Sequence, residues 1–186
     1  MSNPFDVTRR DIVYEGRVFT IIRDEVRHPD GYSSVREVVR HDGGAVVVPV
    51  YENGDVLLIR QFRYPLEEDI LELPAGKLSP GEDPHDCAIR ELKEETGCTA
   101  ASMDKLMAML TTPGFCTETL HLYLAEGLTD GEQELEEGEE SITVLRVPMV
   151  EALDMCRDGR IRDGKTVTAL MLASMKLGIL THRASG

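Results

Sequence analysis

Three glutamates at helical spacing are the residues of this sequence best suited to chemistry. Glu91, Glu94 and Glu95 stand at positions i, i+3 and i+4, so one face of a helix would present all three carboxylates. Like charges this close repel one another unless a positive charge lies among them. Hard divalent cations such as Mg²⁺ bind oxygen ligands of this kind and share them with substrate phosphates. The spacing therefore predicts a metal-binding helix face that acts on a phosphate-containing substrate.

The residues around these glutamates follow a longer pattern. Gly76 is followed by five residues and Glu82, and seven more residues lead to the run Arg90-Glu91-Leu92-Lys93-Glu94-Glu95-Thr96-Gly97-Cys98. Taken alone, the charges are also typical of a solvated acidic helix face with Arg90 in an ordinary i,i+4 pair. The full spacing resembles the Nudix box, a glycine, five residues, a glutamate, seven residues and R-E-U-x-E-E-x-G-U, where U is a bulky aliphatic residue. Cys98 departs from it at the last position, as a small apolar residue.

The resemblance to Nudix hydrolases extends from about Arg40 to the C-terminal helices and implies both a fold and an activity. Members of the family form an α/β/α sandwich with a mixed sheet, and they hydrolyse a nucleoside diphosphate linked to another group with Mg²⁺ or Mn²⁺. By this resemblance the metal ligands are Glu91, Glu94, Glu95 and the backbone carbonyl of Ala75. Arg90, four residues before Glu94, is expected to orient that glutamate in the catalytic site.

Further motifs resemble the ADP-ribose pyrophosphatase group of this family. They are Gln61-Phe62-Arg63, Leu71-Glu72-Leu73-Pro74-Ala75-Gly76, Thr112-Pro113-Gly114-Phe115 and Ile161-Arg162-Asp163-Gly164-Lys165-Thr166. The resemblance implies substrate contacts by Glu72, Pro113, Gly114 and Phe115, although Pro113 also fits a plain loop proline. The group usually has His-Pro-Gly where this chain has His41-Asp42-Gly43.

The catalytic base is expected in an acidic stretch near residue 140. The resembling group carries a catalytic glutamate on a loop just before a strand like residues 141–147. Aligning Ile142 and Val144 with that strand places Glu140 at the catalytic position, with Glu139 as the neighbouring candidate. The rest of residues 132–140 is expected to be a solvated loop.

Two charged residues outside the box have open interpretations. The guanidinium of Arg63 could grip phosphate oxygens bidentately, or it could form a surface ion pair with Glu67 or Glu68. Glu118 could be a further polar ligand of the substrate or the exposed side of a strand.

The elements that would position these residues are strands first and helices later. Apolar runs and turn signals predict strands at residues 12–14, 18–22, 34–40, 45–50, 56–59, 105–112, 119–125 and 141–147. Helices are predicted from a cap at Asp83 to a stop at Gly97, and over residues 149–157 and 165–177. The order favours an α+β or α/β domain with a mixed sheet. With the resemblance we expect the α/β Nudix sandwich at residues 41–186, preceded by antiparallel strands in residues 1–40.

Composition excludes several classes of protein. The 186 residues are 41% hydrophobic and carry a net charge of −14, so the chain can bury a core and lacks the basic surface of a nonspecific nucleic-acid binder. No apolar run approaches bilayer length, so no membrane span is expected. Residues 1–11 are polar and mixed in charge, unlike a secretory signal, and the four cysteines include no C-x-x-C pair. We therefore expect a cytoplasmic protein without disulfides or structural zinc.

The expected reaction is metal-assisted hydrolysis of ADP-ribose to AMP and ribose 5-phosphate. A hydrolase of nucleoside diphosphate sugars such as GDP-mannose would use the same metal face with a different sugar pocket. A non-catalytic Nudix module that senses a nucleotide is a third interpretation, which the intact set of carboxylates disfavours. In the resembling group the N-terminal strands form a dimer and complete each other's sites, so we expect a homodimer.

Overall fold

The computed structural model describes residues 4–135 and 141–180. Within these ranges the strands are β1 (Asp6–Glu15), β2 (Thr20–Arg27), β3 (Ser33–Arg40), β4 (Gly44–Val50), β5 (Asp55–Arg63), β6 (Glu68–Glu72), β7 (Ala75–Lys77), β8 (Thr99–Leu110), β9 (Thr119–Thr129) and β10 (Thr143–Pro148). The helices are α1 (Pro84–Thr96), α2 (Met149–Asp158) and α3 (Gly164–Lys176). None of the helices in these ranges has the length and apolar character needed to cross a membrane.

The chain divides into two compact units, of which the first comprises Met1–Gly43 and Leu110–Thr119. Its strands form an antiparallel sheet in the order β1-β2-β3, as expected for the N-terminal residues. The second segment is fastened to β3, because the Val39 N–H donates to the Phe115 carbonyl at 2.7 Å and the Thr117 N–H donates to the Val39 carbonyl at 2.9 Å. The boundary expected after residue 40 stays a prediction for the functional domains.

The second unit, Gly44–Met109 and Leu120–Gly186, contains a mixed sheet. Its strand order is β10-β5-β4-β9-β8, with β6 paired to β5 and β7 paired to β4. Strand β4 runs parallel to β9, with Val46 opposite Leu122, and antiparallel to β7, with Ala45 opposite Gly76. The central strand therefore places the start of the 76–98 motif inside the sheet.

Alternate residues of β4 face two separate apolar cores. Val46, Val48 and Val50 join the core that contains Ala152 of α2 and Leu170 of α3. On the opposite face, Ala45 and Val47 join the core that contains Ala88 and Leu92 of α1. Because every residue of β4 is buried, the continuous apolar run is explained by a strand that is covered on both faces. The expected α/β/α sandwich with a mixed sheet is confirmed.

Helix α1 begins and ends where the sequence predicts. The Asp83 side chain accepts a hydrogen bond from the His85 N–H. Pro84 occupies the first turn, where the helix does not use the backbone N–H that proline lacks. At the other end Gly97 has a φ of 75°, and its N–H donates to the Lys93 carbonyl at 2.8 Å. This left-handed conformation is one that glycine adopts without steric cost.

The last carbonyls of α1 accept hydrogen bonds from the segment that follows β9. The Glu134 N–H donates to the Glu94 carbonyl at 2.9 Å, and the Gln133 side-chain amide donates to the Glu95 carbonyl at 2.6 Å. Helix C-termini need such partners because their last four carbonyls have none within the helix. Gln133 and Glu134 are exposed, as expected for this stretch, and they also cap the C-terminal end of the helix.

The sequence did not predict every strand. Strands β6 and β7 have only five and three residues, and the sequence predicts a motif but no strand at these positions. Strand β8 starts at Thr99 rather than at Lys105. Its residues before Lys105 carry few of the β-branched and aromatic side chains that identify strands in a sequence.

The close approach at the end of α1 gives a stability prediction with a matched control. A Cβ on Gly97 would lie 2.5 Å from the Gly131 carbonyl oxygen, whereas a Cβ on Gly159, which ends α2 at a φ of 84°, would meet nothing within 4 Å. We expect Gly159→Ala to destabilise by roughly 1 kcal/mol from the strained φ alone. Gly97→Ala should destabilise by about 3 kcal/mol or more, because the backbone of residue 131 must also move.

Thermal unfolding measures this difference. A chain of this length loses about 2–4 °C of Tm per kcal/mol, so Gly97→Ala should lie several degrees below Gly159→Ala. Equal losses of Tm in the two variants would contradict the close contact between the helix end and residue 131.

Candidate active site

Two of the three helix carboxylates are buried. Glu91 retains 6% and Glu95 only 1% of its exposure, while Glu94 is half-buried. All three lie on α1, whose Ala88 and Leu92 pack into the core beside the sheet. A buried carboxylate is costly unless it has charged or hydrogen-bonding partners. The alternative of a solvated acidic face therefore does not hold for Glu91 and Glu95.

Arg90 holds three carboxylates with one guanidinium group. Its Nη1 lies 2.6 Å from Glu91 Oε1 and 2.9 Å from Glu94 Oε2. Its Nε and Nη2 lie 2.9 and 3.1 Å from the two carboxylate oxygens of Glu82. The hydrogen bonds from Arg90 and from the Ser79 N–H lower the pKa of Glu82 to about 2. The bond with Glu82 in turn raises the pKa of Arg90. The sequence predicted the contact with Glu94 but not the larger network.

Glu91 and Glu95 both reach the backbone of strand β7. The carboxylate of Glu91 occupies the space beside Gly76, where a Cβ would lie 1.7 Å from Oε1. The Ala75 N–H donates to Glu95 Oε2 at 2.8 Å. Glycine at position 76 is thus required by a side chain that fills its missing Cβ position. Helix α1 and strand β7 together bring two carboxylates to two adjacent backbone units.

This donor set fits a hard divalent cation in its chemistry. It offers carboxylate oxygens from Glu95 at the Ala75 N–H, from Glu91 beside Gly76 and from Glu94 at Arg90, and hard cations such as Mg²⁺ and Mn²⁺ prefer oxygen ligands. Within residues 4–135 and 141–180, no group of three or more His, Cys, Asp or Glu side chains is arranged to hold a metal ion. Two of these carboxylates, from Glu91 and Glu94, instead meet at the guanidinium of Arg90.

A second cluster of charges surrounds Glu72, whose side chain is 1% exposed. Arg63 donates from Nε and Nη2 to the two carboxylate oxygens, both at 2.6 Å. Lys165, which comes from the first turn of α3, donates to the same carboxylate. Burial acts to raise the pKa of Glu72, but Arg63 and Lys165 hold that pKa below its usual range.

The ion pair of Arg63 differs from the one considered in the sequence. Among the residues that the structure describes, Arg63 pairs with Glu72 and with neither Glu67 nor Glu68, and Glu68 pairs with Arg162. The carboxylate of Glu72 raises the pKa of Arg63, and the charge of Glu95 adds to this effect. The phosphate contact predicted for Arg63 remains a prediction. Lys165 was not among the predicted site residues, although it stands in one of the motifs.

The predicted substrate residues after β8 belong to the first unit. Phe115 is exposed, and its carbonyl accepts the hydrogen bond from β3 described above. Glu118 Oε1 lies 3.5 Å from His41 Nδ1, and that nitrogen also accepts a hydrogen bond from the Gly43 N–H. Pro113 and Gly114 are exposed. The substrate contacts of these residues stay predictions.

Both candidates for the catalytic base, Glu139 and Glu140, lie outside the described residues. The structure describes the chain up to Leu135 and again from Ser141, where Ile142 is buried and leads into β10. Glu140 therefore remains the predicted catalytic base, with Glu139 as the neighbouring candidate.

Comparison with curated proteins gives relatives along most of the chain. It is 38% identical to "ADP-ribose pyrophosphatase" of Bacillus subtilis, over 90% of this chain and 91% of the other. It is 40% identical to "Methanol dehydrogenase activator" of Bacillus methanolicus, over 88% and 89% of the two chains. It is 38% identical to "GDP-mannose pyrophosphatase" of Yersinia enterocolitica, over 76% and 78%.

The fold and the box are also shared with known proteins. A solved structure described as "Crystal structure of ADP compounds hydrolase" matches with a TM-score of 0.83 at 23% identity, over 95% of each chain. That likeness establishes the fold alone. Residues 40–170 match the NUDIX domain model, and this range includes the motif from Gly76 to Cys98. The chain belongs to the NUDIX domain family.

Proposed function

We propose that this protein hydrolyses the diphosphate of ADP-ribose to AMP and ribose 5-phosphate with Mg²⁺ or Mn²⁺. The observation that carries the proposal is the meeting of two buried carboxylates, Glu91 and Glu95, with the backbone of Ala75 and Gly76. Relatives named ADP-ribose pyrophosphatase match most of the chain and support this choice of substrate. The enzyme is a Nudix pyrophosphohydrolase.

Nudix hydrolases generally depend on a divalent metal. In the proposal Glu91, Glu94, Glu95 and the Ala75 carbonyl hold it. When bound, it would neutralise the diphosphate charge and lower the pKa of a water molecule. Arg90 orients Glu91 and Glu94 through its Nη1, while its bonds to Glu82 fix the guanidinium itself. The net charge of −14 is then compatible with an anionic substrate, because the local field at the site is set by cations.

The remaining roles follow the sequence prediction. Glu140, or its neighbour Glu139, takes a proton from the water that attacks one phosphorus, the bond from that phosphorus to the bridging oxygen breaks, and the oxygen leaves with the other phosphate. Arg63 contacts the diphosphate, and Glu72 supports the substrate site. The other predicted substrate residues are Pro113, Gly114, Phe115 and Glu118. We also propose a cytoplasmic location and a catalytic domain at residues 41–186.

Two other functions have support from named relatives. The relative named GDP-mannose pyrophosphatase favours a nucleoside diphosphate sugar as the alternative substrate. The relative named methanol dehydrogenase activator favours a regulatory role as a third interpretation. A module that only senses a nucleotide would not need Glu91, Glu94 and Glu95 together, and this chain retains all three.

A homodimer is proposed from the surface of the first unit. Strand β1 is exposed along nearly all of its length, and the exposed side chains include Val7, Ile12, Val13 and Tyr14. Ile12, Val13 and Tyr14 are consecutive, and grouped exposed apolar side chains are typical of an interaction site. We propose that a second copy of the chain covers this strand.

A substrate panel tests the reaction. ADP-ribose, GDP-mannose, a dinucleoside polyphosphate and NADH are each incubated with the protein and Mg²⁺, and the products are separated and identified. We expect kcat/KM to be highest for ADP-ribose, with AMP and ribose 5-phosphate as products. A higher kcat/KM for GDP-mannose would contradict ADP-ribose as the preferred substrate. The absence of turnover on every compound would favour the sensing module.

Charge-removing variants test the metal site. Glu94→Gln and Glu95→Gln keep the side-chain size but remove one charge each from the proposed ligand set. We expect ADP-ribose turnover at saturating Mg²⁺ to fall by ~10²-fold or more, since metal-supplied charge stabilisation is worth several kcal/mol. Glu82→Gln should reduce turnover less, because Glu82 acts on Arg90 and not on the metal.

Glu134→Gln is the matched control for these variants. Glu134 pairs with Lys93 at the surface, where ion pairs contribute little, and the change leaves its backbone bond to α1 intact. Its turnover should stay near that of the wild type. Near wild-type turnover in both Glu94→Gln and Glu95→Gln would exclude this helix face as the metal site.

Light scattering at micromolar concentration tests the dimer. We expect twice the 20.7 kDa mass of the chain for the wild type. The double variant Ile12→Asp, Val13→Asp should give the monomer mass, because charges would replace two adjacent exposed apolar side chains of β1. Val150→Asp changes an equally exposed valine on α2 and should remain dimeric. A wild-type monomer with full activity would contradict the proposed dimer.

A further inference from the structure

The motif Ile161-Arg162-Asp163-Gly164-Lys165-Thr166 has no role in the function proposed so far. Its residues lead into α3, where Asp163 is the N-cap and Gly164, Lys165 and Thr166 lie in the first turn. Lys165 is only 13% exposed, although lysine side chains are rarely buried without a partner. Its ammonium group donates to Glu72 and, at 2.9 Å, to Asp163 Oδ2. Lys165 is thus a largely buried cation that is held by two carboxylates.

Glu72 connects this lysine to Arg63. The two oxygens of Glu72 receive two bonds from Arg63 and one from Lys165, and the carboxylate is nearly inaccessible to solvent. Arg63 keeps 38% of its side-chain exposure. Among residues 4–135 and 141–180, Nη1 of Arg63 has no hydrogen-bond partner, so its two N–H groups are available to an anion. The pair thus fixes one edge of the guanidinium and leaves the other edge free.

The same turn of α3 also holds the backbone that leads to the proposed metal site. The Leu73 N–H donates to the Thr166 hydroxyl at 2.9 Å, and that hydroxyl donates to Asp163 Oδ2 at 2.6 Å. Two residues further along, the Ala75 N–H donates to Glu95. The side chain of residue 72 and the backbone of residue 73 are therefore both bonded to the start of α3.

We infer that Lys165 is a positioning residue for substrate binding, which acts through Glu72 to keep Arg63 oriented toward the substrate diphosphate. The inference rests on the proposed function, because it takes the diphosphate as the anion that Arg63 meets. Without Lys165 the buried charge of Glu72 would be balanced by Arg63 alone. The carboxylate would then draw the guanidinium inward and weaken its grip on phosphate oxygens.

Lys165→Met tests this role, since it removes the charge and nearly keeps the side-chain length. A contact that is equally strong in the ground state and in the transition state affects KM and leaves kcat unchanged. We expect KM for ADP-ribose to rise by about tenfold or more, as for the loss of one hydrogen bond to a charged group, with kcat within about twofold of the wild type. Calorimetry without metal should show a similar loss of affinity for ADP-ribose.

Arg162→Met is the matched control. It removes a cation three residues away, and Arg162 is 60% exposed and pairs with Glu68 at the surface. Its KM should equal that of the wild type. An unchanged KM in Lys165→Met, an equal change in both variants, or a loss confined to kcat would overturn the inference.

A double variant keeps the test decisive if Lys165→Met does not fold. Glu72→Gln combined with Lys165→Met leaves no unbalanced buried charge, and Arg63 then lacks its carboxylate anchor. Compared with Glu72→Gln alone, the double variant should show no further rise in KM, because Lys165 acts through Glu72, and a further rise would overturn the inference. If the wild-type enzyme does not hydrolyse ADP-ribose at all, the proposed function fails, whereas metal-free binding to the Lys165 variants still measures the effect on Arg63.

Discussion

Balancing the charge of buried carboxylates is the constraint on which the rest of this structure depends. Glu72, Glu91 and Glu95 are almost fully buried, and each would be costly in the interior without partners. Arg90 balances Glu91, the backbone N–H of Ala75 bonds Glu95, and Arg63 with Lys165 balances Glu72. These partners come from strands β5 and β7 and from helices α1 and α3. The sandwich must therefore place four elements correctly before the carboxylates can exist as anions inside it.

The central sheet supplies this placement through short connections. Strand β7 pairs with β4 in the middle of the second unit, so its backbone at Ala75 and Gly76 is held at a fixed position against α1. The C-terminal end of α1 is held independently, because Gln133 and Glu134 bond its last carbonyls. A helix that is held against β7 and at its C-terminal end keeps its acidic side chains in one geometry, which a metal site requires.

The sequence predicted the parts of the site that depend on local periodicity. The spacing of Glu91, Glu94 and Glu95 on a capped helix is set by 3.6 residues per turn, and the structure has this helix. Local periodicity could not predict the ion pair of Arg63 with Glu72, because the two residues come together only when strand β5 pairs with β6. Lys165 lies 93 residues from Glu72, so its contact depends on the whole fold. The capping by Gln133 was hidden in an acidic stretch whose composition is typical of solvated loops.

The central claim is that the carboxylates of α1 bind the divalent ion, and metal affinity tests it without reference to any substrate. Mn²⁺ added to the metal-free protein can be followed by electron paramagnetic resonance, which reports the free ion. The account predicts that Glu91→Gln weakens Mn²⁺ binding by roughly tenfold or more relative to the wild type, by analogy with the loss of a supporting ligand interaction. An unchanged Kd for Mn²⁺ in that variant would contradict the assignment of this helix face as the metal site.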